Sequence, residues 1–417
     1  MQGTIEFVKT RAVYLWVLFT VPAVSTFGHY MGPNEDVLKG HDWGILSALA
    51  VTLFSIPLWV AYRSPGRYPN SASAFLALVG VAWAYQIART QVDGSVFNVT
   101  AFALPLILLM LRLKAVSTRD LRIGLLIMAV FLALISIASL VLGTLGTAPS
   151  GFGVSDGGGS RLWILEQFGY PGRWGGPFGS VNYAAPIGGL LVVVGLTSKR
   201  WMRILLILVG SLILLLSQGR SAVVALMAAA LTLVLWGPRF QRFRHRNLLR
   251  VFILLTVVTA IVGYIFGVAP SLNGRTSIWG DFTSLFSANP IFGVGTTGVI
   301  DFVVENESQP GFVPHTHAHS VILDGATRYG LVFIVLTLAI YALATTSAIR
   351  ALPDLGPGPL ALAVFVIFSG LAETTHSWFY WSTYLAVLTY VALVSSSATQ
   401  EDRSKQEYPN RTGSSLP

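Results

Sequence analysis

The sequence predicts an all-α polytopic membrane protein, and three observations carry that prediction. Hydrophobic residues make up 53% of the 417-residue chain and charged residues only 11%, where a soluble domain carries about 25% charge. Apolar runs long enough to cross a bilayer recur along nearly the whole length. These runs are continuous rather than alternating, which argues against a transmembrane β-barrel.

A helical crossing takes about 20 apolar residues. On that measure the chain has about twelve spans, at 12–29, 43–62, 72–89, 97–113, 123–145, 181–198, 201–217, 221–237, 251–268, 331–349, 359–374 and 377–396. The first span follows Lys9 and Arg11. It has no cleavage signature, so it reads as a retained anchor rather than a signal peptide. Residues 1–396 form one transmembrane domain in this reading. The remainder, 397–417, is polar and rich in Ser, Thr and charge, and is expected to be a disordered cytoplasmic tail.

Basic residues set the orientation. With both ends in the cytoplasm, most of the 27 Lys and Arg residues lie inside, including the cluster Arg239, Arg242, Arg244, Arg246 and Arg250. Lys39, Arg89, Arg161, Arg173, Arg220, Arg275 and Arg328 are left outside. The net charge of +9 is then mostly topology and needs no nucleic acid to explain it. A basic cytoplasmic face can also touch anionic membrane lipids. The absence of cysteine excludes thiol nucleophiles, zinc–thiolate sites and disulfides.

Connections between spans are short except for two outer segments, about 146–180 and about 269–330. The first is rich in Gly and aromatics, as in Gly157–Ser160 and Arg173-Trp-Gly-Gly-Pro-Phe178. The second, between spans nine and ten, is the longest polar stretch and is expected to hold short helices lying on the membrane. Both fall on the non-cytoplasmic face and can meet there. No fixed-period repeat and no clear inverted halves are present.

The second segment ends in His315-Thr-His317-Ala-His319-Ser320, which holds three of the seven histidines. An extended strand would point all three rings one way, as a metal site requires; a helix would align His315 with His319. No nearby carboxylate other than Asp324 completes a metal set, so no metal is assigned. The other reading makes one imidazole a general base. His319 is the best placed, because it is closest to the next span. A bland alternative is an interfacial histidine bonded to a neighbouring loop.

Arg220, in Ser217-Gln-Gly-Arg-Ser221, has about fifteen apolar residues on either side, and an arginine so placed is expensive unless it pairs with an anion or snorkels to the interface. Arginine also meets phosphate as a bidentate fork. Arg275, in Asn273-Gly-Arg-Thr-Ser277, fits anion binding, and its surroundings fit a plain helix cap nearly as well. Arg173 is a third candidate on the same face. Glu373, His376 and Trp378, at the turn between the last two spans, either orient His319, line an acceptor pocket or form an interfacial belt. No Walker loop is present, and no cofactor is implied.

These motifs resemble the O-antigen ligase and polymerase superfamily. His319-Ser320, nine residues and then Gly330 match its His-[Asn/Ser/Gln]-x9-Gly pattern. Asn289-Pro-Ile-Phe-Gly293-Val-Gly295 is similar to its Pro-x-Phe-Gly-x-Gly element. The stretch from Arg173 through Gly176 and Phe178 to Asn182 resembles its Arg…Gly-x-Phe…Asn segment, with Val181 where a Pro commonly precedes the Asn. Arg220 and Arg275 look like the two family arginines. The resemblance spans about 160–375.

It implies transfer of a glycan from an undecaprenyl-pyrophosphate carrier to an acceptor hydroxyl at the periplasmic face of a bacterial cytoplasmic membrane. It further implies that Arg220 and Arg275 hold the pyrophosphate and that His319 deprotonates the acceptor, with inversion and without metal. Arg173, Asn182, His315, His317, Arg328, Glu373 and His376 become possible donor- or acceptor-binding residues. The acceptor is open. A ligase uses a lipid A-core, a polymerase another lipid-linked repeat and a third relative a protein hydroxyl; the ligase is the closest likeness. A transporter of an anionic or lipid-linked solute is the alternative from another class. It predicts charges at mid-membrane, whereas here the polar groups gather at one face.

Overall fold

A computed structural model describes residues 70–92, 118–144, 154–159, 172–178, 181–237, 275–309, 312, 315–373 and 383–407. They are almost entirely helical: α1 (Asn70–Val92), α2 (Thr118–Thr144), α3 (Val181–Leu196), α4 (Arg200–Ser217), α5 (Arg220–Leu235), α6 (Arg275–Ala288), α7 (Gly295–Asn306), α8 (Val321–Arg350), α9 (Leu352–Leu355), α10 (Gly358–Ala372) and α11 (Thr383–Glu407). The strands β1 (Val154–Gly159) and β2 (Gly172–Trp174) pair antiparallel, and a 3-10 turn follows at Gly176–Phe178. The segment at about 146–180, expected from the sequence to lie outside, therefore holds a small ribbon.

The core helices are apolar on every side. Along α3 and the first half of α11 nearly every residue is buried, and Phe365 of α10 and Tyr384 of α11 are among the largest fully buried side chains. Helix α3 packs on α4 and α5, α5 on α10, and α8 on α1, α10 and α11. The outer helices bury one side only. Helix α4 exposes Ile204, Leu208, Leu212 and Leu215, and α8 exposes Leu331, Val335 and Leu338. Such stripes of large apolar residues, repeating every three or four positions, suit hydrocarbon and not water. Several hydroxyls buried within helices bond back one turn, as Ser136 does to the Leu132 carbonyl at 2.8 Å and Thr232 to Ala228 at 2.8 Å. That satisfies polar groups where no water competes.

Among the described residues, two helices, Leu121–Val141 within α2 and Val321–Arg350, are long and apolar enough to cross a bilayer. The expected spans at 72–89, 123–145, 181–198, 201–217, 221–237, 331–349, 359–374 and 377–396 all overlap helices; those at 12–29, 43–62, 97–113 and 251–268 lie outside the described residues.

The fold departs from the sequence reading at two boundaries. Helix α11 continues to Glu407, past the expected start of a disordered tail at 397. Gln400, Arg403 and Gln406 are good helix formers. The expected tenth span begins at 331, yet α8 starts at Val321 and runs through a break at Gly330 (φ 74°, ψ −164°). Ser320 caps it by accepting from the Leu323 N–H at 3.4 Å. The polar first turns of α8 pack with α6 and α7 to form a cap, and only the part beyond Gly330 carries the apolar stripe.

Candidate active site

The cap formed by α6, α7 and the first turns of α8 is built around that break. The Leu331 N–H donates to the Pro290 carbonyl and the Val294 N–H to the Thr327 carbonyl, both at 2.8 Å. A Cβ on Gly330 would overlap the Ile291 carbonyl, and one on Gly293 (φ 72°) would overlap the carbonyl group of Arg328. The two motifs read separately in the sequence thus form one joint, in which each glycine makes room for the other strand of chain. Helix α1 braces the joint: the Tyr85 hydroxyl donates to the Tyr329 carbonyl at 2.6 Å, and Arg89 donates to the Gly293 carbonyl at 3.2 Å.

The histidine segment is a bend, neither helix nor strand. Its anchor is Ala318, which is fully buried with Ile278, Phe282 and Val299. The Ala318 carbonyl accepts from Trp279 Nε1 at 2.8 Å, and its N–H donates to Asp324 Oδ1 at 3.2 Å. Helices α6 and α8 therefore hold the residue before His319 from both sides. His319 adopts φ 50°, a left-handed conformation that costs a non-glycine residue about 1–3 kcal/mol and persists only where its surroundings impose it.

His319 faces α10. Its Nδ1 lies 3.5 Å from Oε2 of Glu373, the buried residue capping the C-terminus of α10. The other carboxylate oxygen, Oε1, accepts from the Ser221 hydroxyl at 3.0 Å. Ser221 is in the first turn of α5, next to Arg220, whose side chain is exposed. One carboxylate thus joins the histidine segment to the arginine turn. A carboxylate beside Nδ1 favours the tautomer that leaves Nε2 free to take a proton.

The remaining expected residues separate by environment. Arg173, on β2, donates from Nε to the Ser217 carbonyl at 3.1 Å, which brings it to the turn preceding Arg220. Asn182 is in the first turn of α3, half-buried. Arg275 opens α6; its side chain, together with His376 and Trp378, lies outside the described residues. His315 is half-buried, its ring 6.4 Å from that of His319 in an edge-on arrangement. Burial pushes the His315 imidazole below the ordinary histidine value; His319 adds to the effect and Asp281 opposes it. His317 is more exposed, with Nδ1 3.9 Å from Asp324 Oδ1. Arg328 is buried against Asp324. Among the described residues, no group of three His, Asp or Glu side chains is placed to hold a metal ion.

The sequence does not single out Ser221, Tyr85 or Trp279. Ser221 has the best signal, as the hydroxyl neighbour of a candidate arginine. Nothing local marks Tyr85 or Trp279, because each acts on backbone far away in the chain.

In a comparison with known families, residues 204–338, about a third of the chain, match O-antigen ligase. The match takes in the Arg220 turn, the start of α6, the glycine joint and the histidine segment; Arg173, Asn182 and Glu373 lie outside it. No curated protein matches the chain.

Proposed function

We propose, from the O-antigen ligase domain at residues 204–338, that this protein moves a glycan from undecaprenyl pyrophosphate to a hydroxyl of a lipid A-core, at the periplasmic face of a bacterial inner membrane. The observation that carries the reading is the Glu373 carboxylate set between His319 and Ser221, the chain neighbour of Arg220. It links a candidate base to a candidate anion site, the two functions such a transfer needs.

In the reaction, His319 Nε2 takes the proton of the acceptor hydroxyl as its oxygen attacks the anomeric carbon. The bond from that carbon to the pyrophosphate oxygen breaks, and configuration inverts. The leaving pyrophosphate carries the charge that builds up. Arg220, at the N-terminus of α5, is suited to stabilise it through both its guanidinium and the helix dipole. Arg275 is assigned the same role at the start of α6. Glu373 steadies the imidazolium formed when His319 accepts the proton. The leaving group is already activated, so the residues assigned here carry the step. About twelve spans, with both ends in the cytoplasm, would place the histidine segment and the Arg220 turn on the outer side.

The test uses a null strain carrying the intact gene or His319→Ala, with lipid-linked and envelope-attached glycan compared by gel and mass. Removing a general base lowers transfer about 10²–10⁴-fold. Long polymer stranded on the carrier is the ligase outcome. Single repeats stranded there identify a polymerase instead. Full restoration by His319→Ala rejects the assignment and brings a transporter forward.

A further inference from the structure

Asp324 and Arg328 lie one turn apart at the start of α8, with 8% and 7% of their surfaces exposed. Arg328 Nε donates to Asp324 Oδ2 at 3.1 Å, and Arg328 Nη2 donates to the carbonyl of Thr316. The second oxygen of Asp324 accepts the Ala318 N–H at 3.2 Å. Each member of the pair spends one bond on its partner and one on the backbone that leads into His319.

Burying two charges is costly, and an apolar pair of similar volume is often as stable. A buried ion pair is therefore best explained by what it directs. Here both remaining bonds go to one short bend that lacks helical or strand pairing. That bend ends in His319, held at φ 50°. With Nε on Asp324 and Nη2 on Thr316, Arg328 is engaged inside the cap, which fits a brace better than a ligand for an external anion.

We propose that Asp324 and Arg328 are positioning residues, a buried latch that fixes the backbone of 316–318 and so holds the His319 ring against Glu373 at reaction distance. The proposal rests on His319 being the base. It predicts that loss of the latch slows the chemical step without weakening the donor site, which lies on other elements. A displacement of about 1 Å at a reacting group is enough to cost about 10²-fold in rate.

The experiment uses the full-length protein in liposomes, with undecaprenyl-pyrophosphate-linked glycan and lipid A-core extracted from the null strain as substrates. Asp324→Leu with Arg328→Met removes both charges and leaves neither partner stranded; Arg328→Lys keeps the charge and loses the fork. Folded fraction, kcat, and KM for the donor are measured for each. The expected result is a folded double variant with kcat down about 10- to 100-fold and donor KM within about twofold, and partial recovery in Arg328→Lys. A folded double variant with the parent kcat overturns the proposal. So does a parallel change in kcat and KM, or loss of folded protein in both variants, since either marks a purely structural pair. His319→Ala with the parent rate is a different failure: it removes the proposed base itself, whatever the latch variants do.

Discussion

At the scale of the residue, the histidines divide by what surrounds them. His319 has a carboxylate within 3.5 Å and a strained backbone, and His317 has a more open ring. His315 is half-buried, and burial lowers its pKa. The folded state therefore binds that proton more weakly than the unfolded state, whose value is near the ordinary 6.5. Stability is full above this value and falls as pH drops through it and below, because the unfolded chain then takes up more protons. Thermal unfolding in detergent between about pH 7 and about pH 5 should show this loss, and His315→Gln should remove part of it. An unchanged slope in the variant would rule out His315 as the source. The sequence already ranks His319 first by its closeness to the next span, but its contact with Glu373 comes only from the fold, because Glu373 is distant in the chain and also reads there as an interfacial residue.

At the scale of the element, the Gly330 joint governs the cap. Its φ of 74° and ψ of −164° lie in a region open to glycine almost alone. Alanine there faces backbone strain of about 1–3 kcal/mol and overpacking of about 1–3 kcal/mol against the Ile291 carbonyl. Gly330→Ala should therefore lose about 3 kcal/mol or more, read as a fall in unfolding midpoint. Gly280 in α6 is the control: no atom lies within 4 Å of its would-be Cβ, so Gly280→Ala should gain about 0.5–1 kcal/mol from helix propensity. If both substitutions behave alike, the joint is not the constraint described. The pattern of nine residues between His319-Ser320 and Gly330 is explained by this architecture. The interval contains the first turns of α8 that Ser320 caps, and the glycine falls where the helix must break to seat the Pro290–Gly293 segment.

At the scale of the whole molecule, apolar stripes on α2, α4, α5 and α8 face outward while α3 and the first half of α11 are buried all round. That is the distribution of a bundle solvated by lipid. The chain has no cysteine, so single cysteines can report sidedness without a background. Ser308→Cys, in the exposed residues after α7, should react in intact cells with a membrane-impermeant maleimide. Arg350→Cys, at the far end of α8, should react only once the membrane is opened. The reverse pattern would invert the orientation and take the proposed site away from the periplasm.

Composition and the length of the apolar runs determined the helical class, because lipid leaves a backbone few ways to satisfy its own polar groups. The order of motifs marked Arg220, Arg275 and His319 as candidates, since arginine and histidine are costly at such positions without a role. Tertiary structure decided how His319 is held. The pairing of Glu373 with His319 and Ser221, the grip of Asp324 and Arg328 on the bend, and the meeting of Gly293 with Gly330 are contacts between elements. Most of them join segments tens to hundreds of residues apart, and spacing along one chain does not encode which distant backbone a side chain will meet.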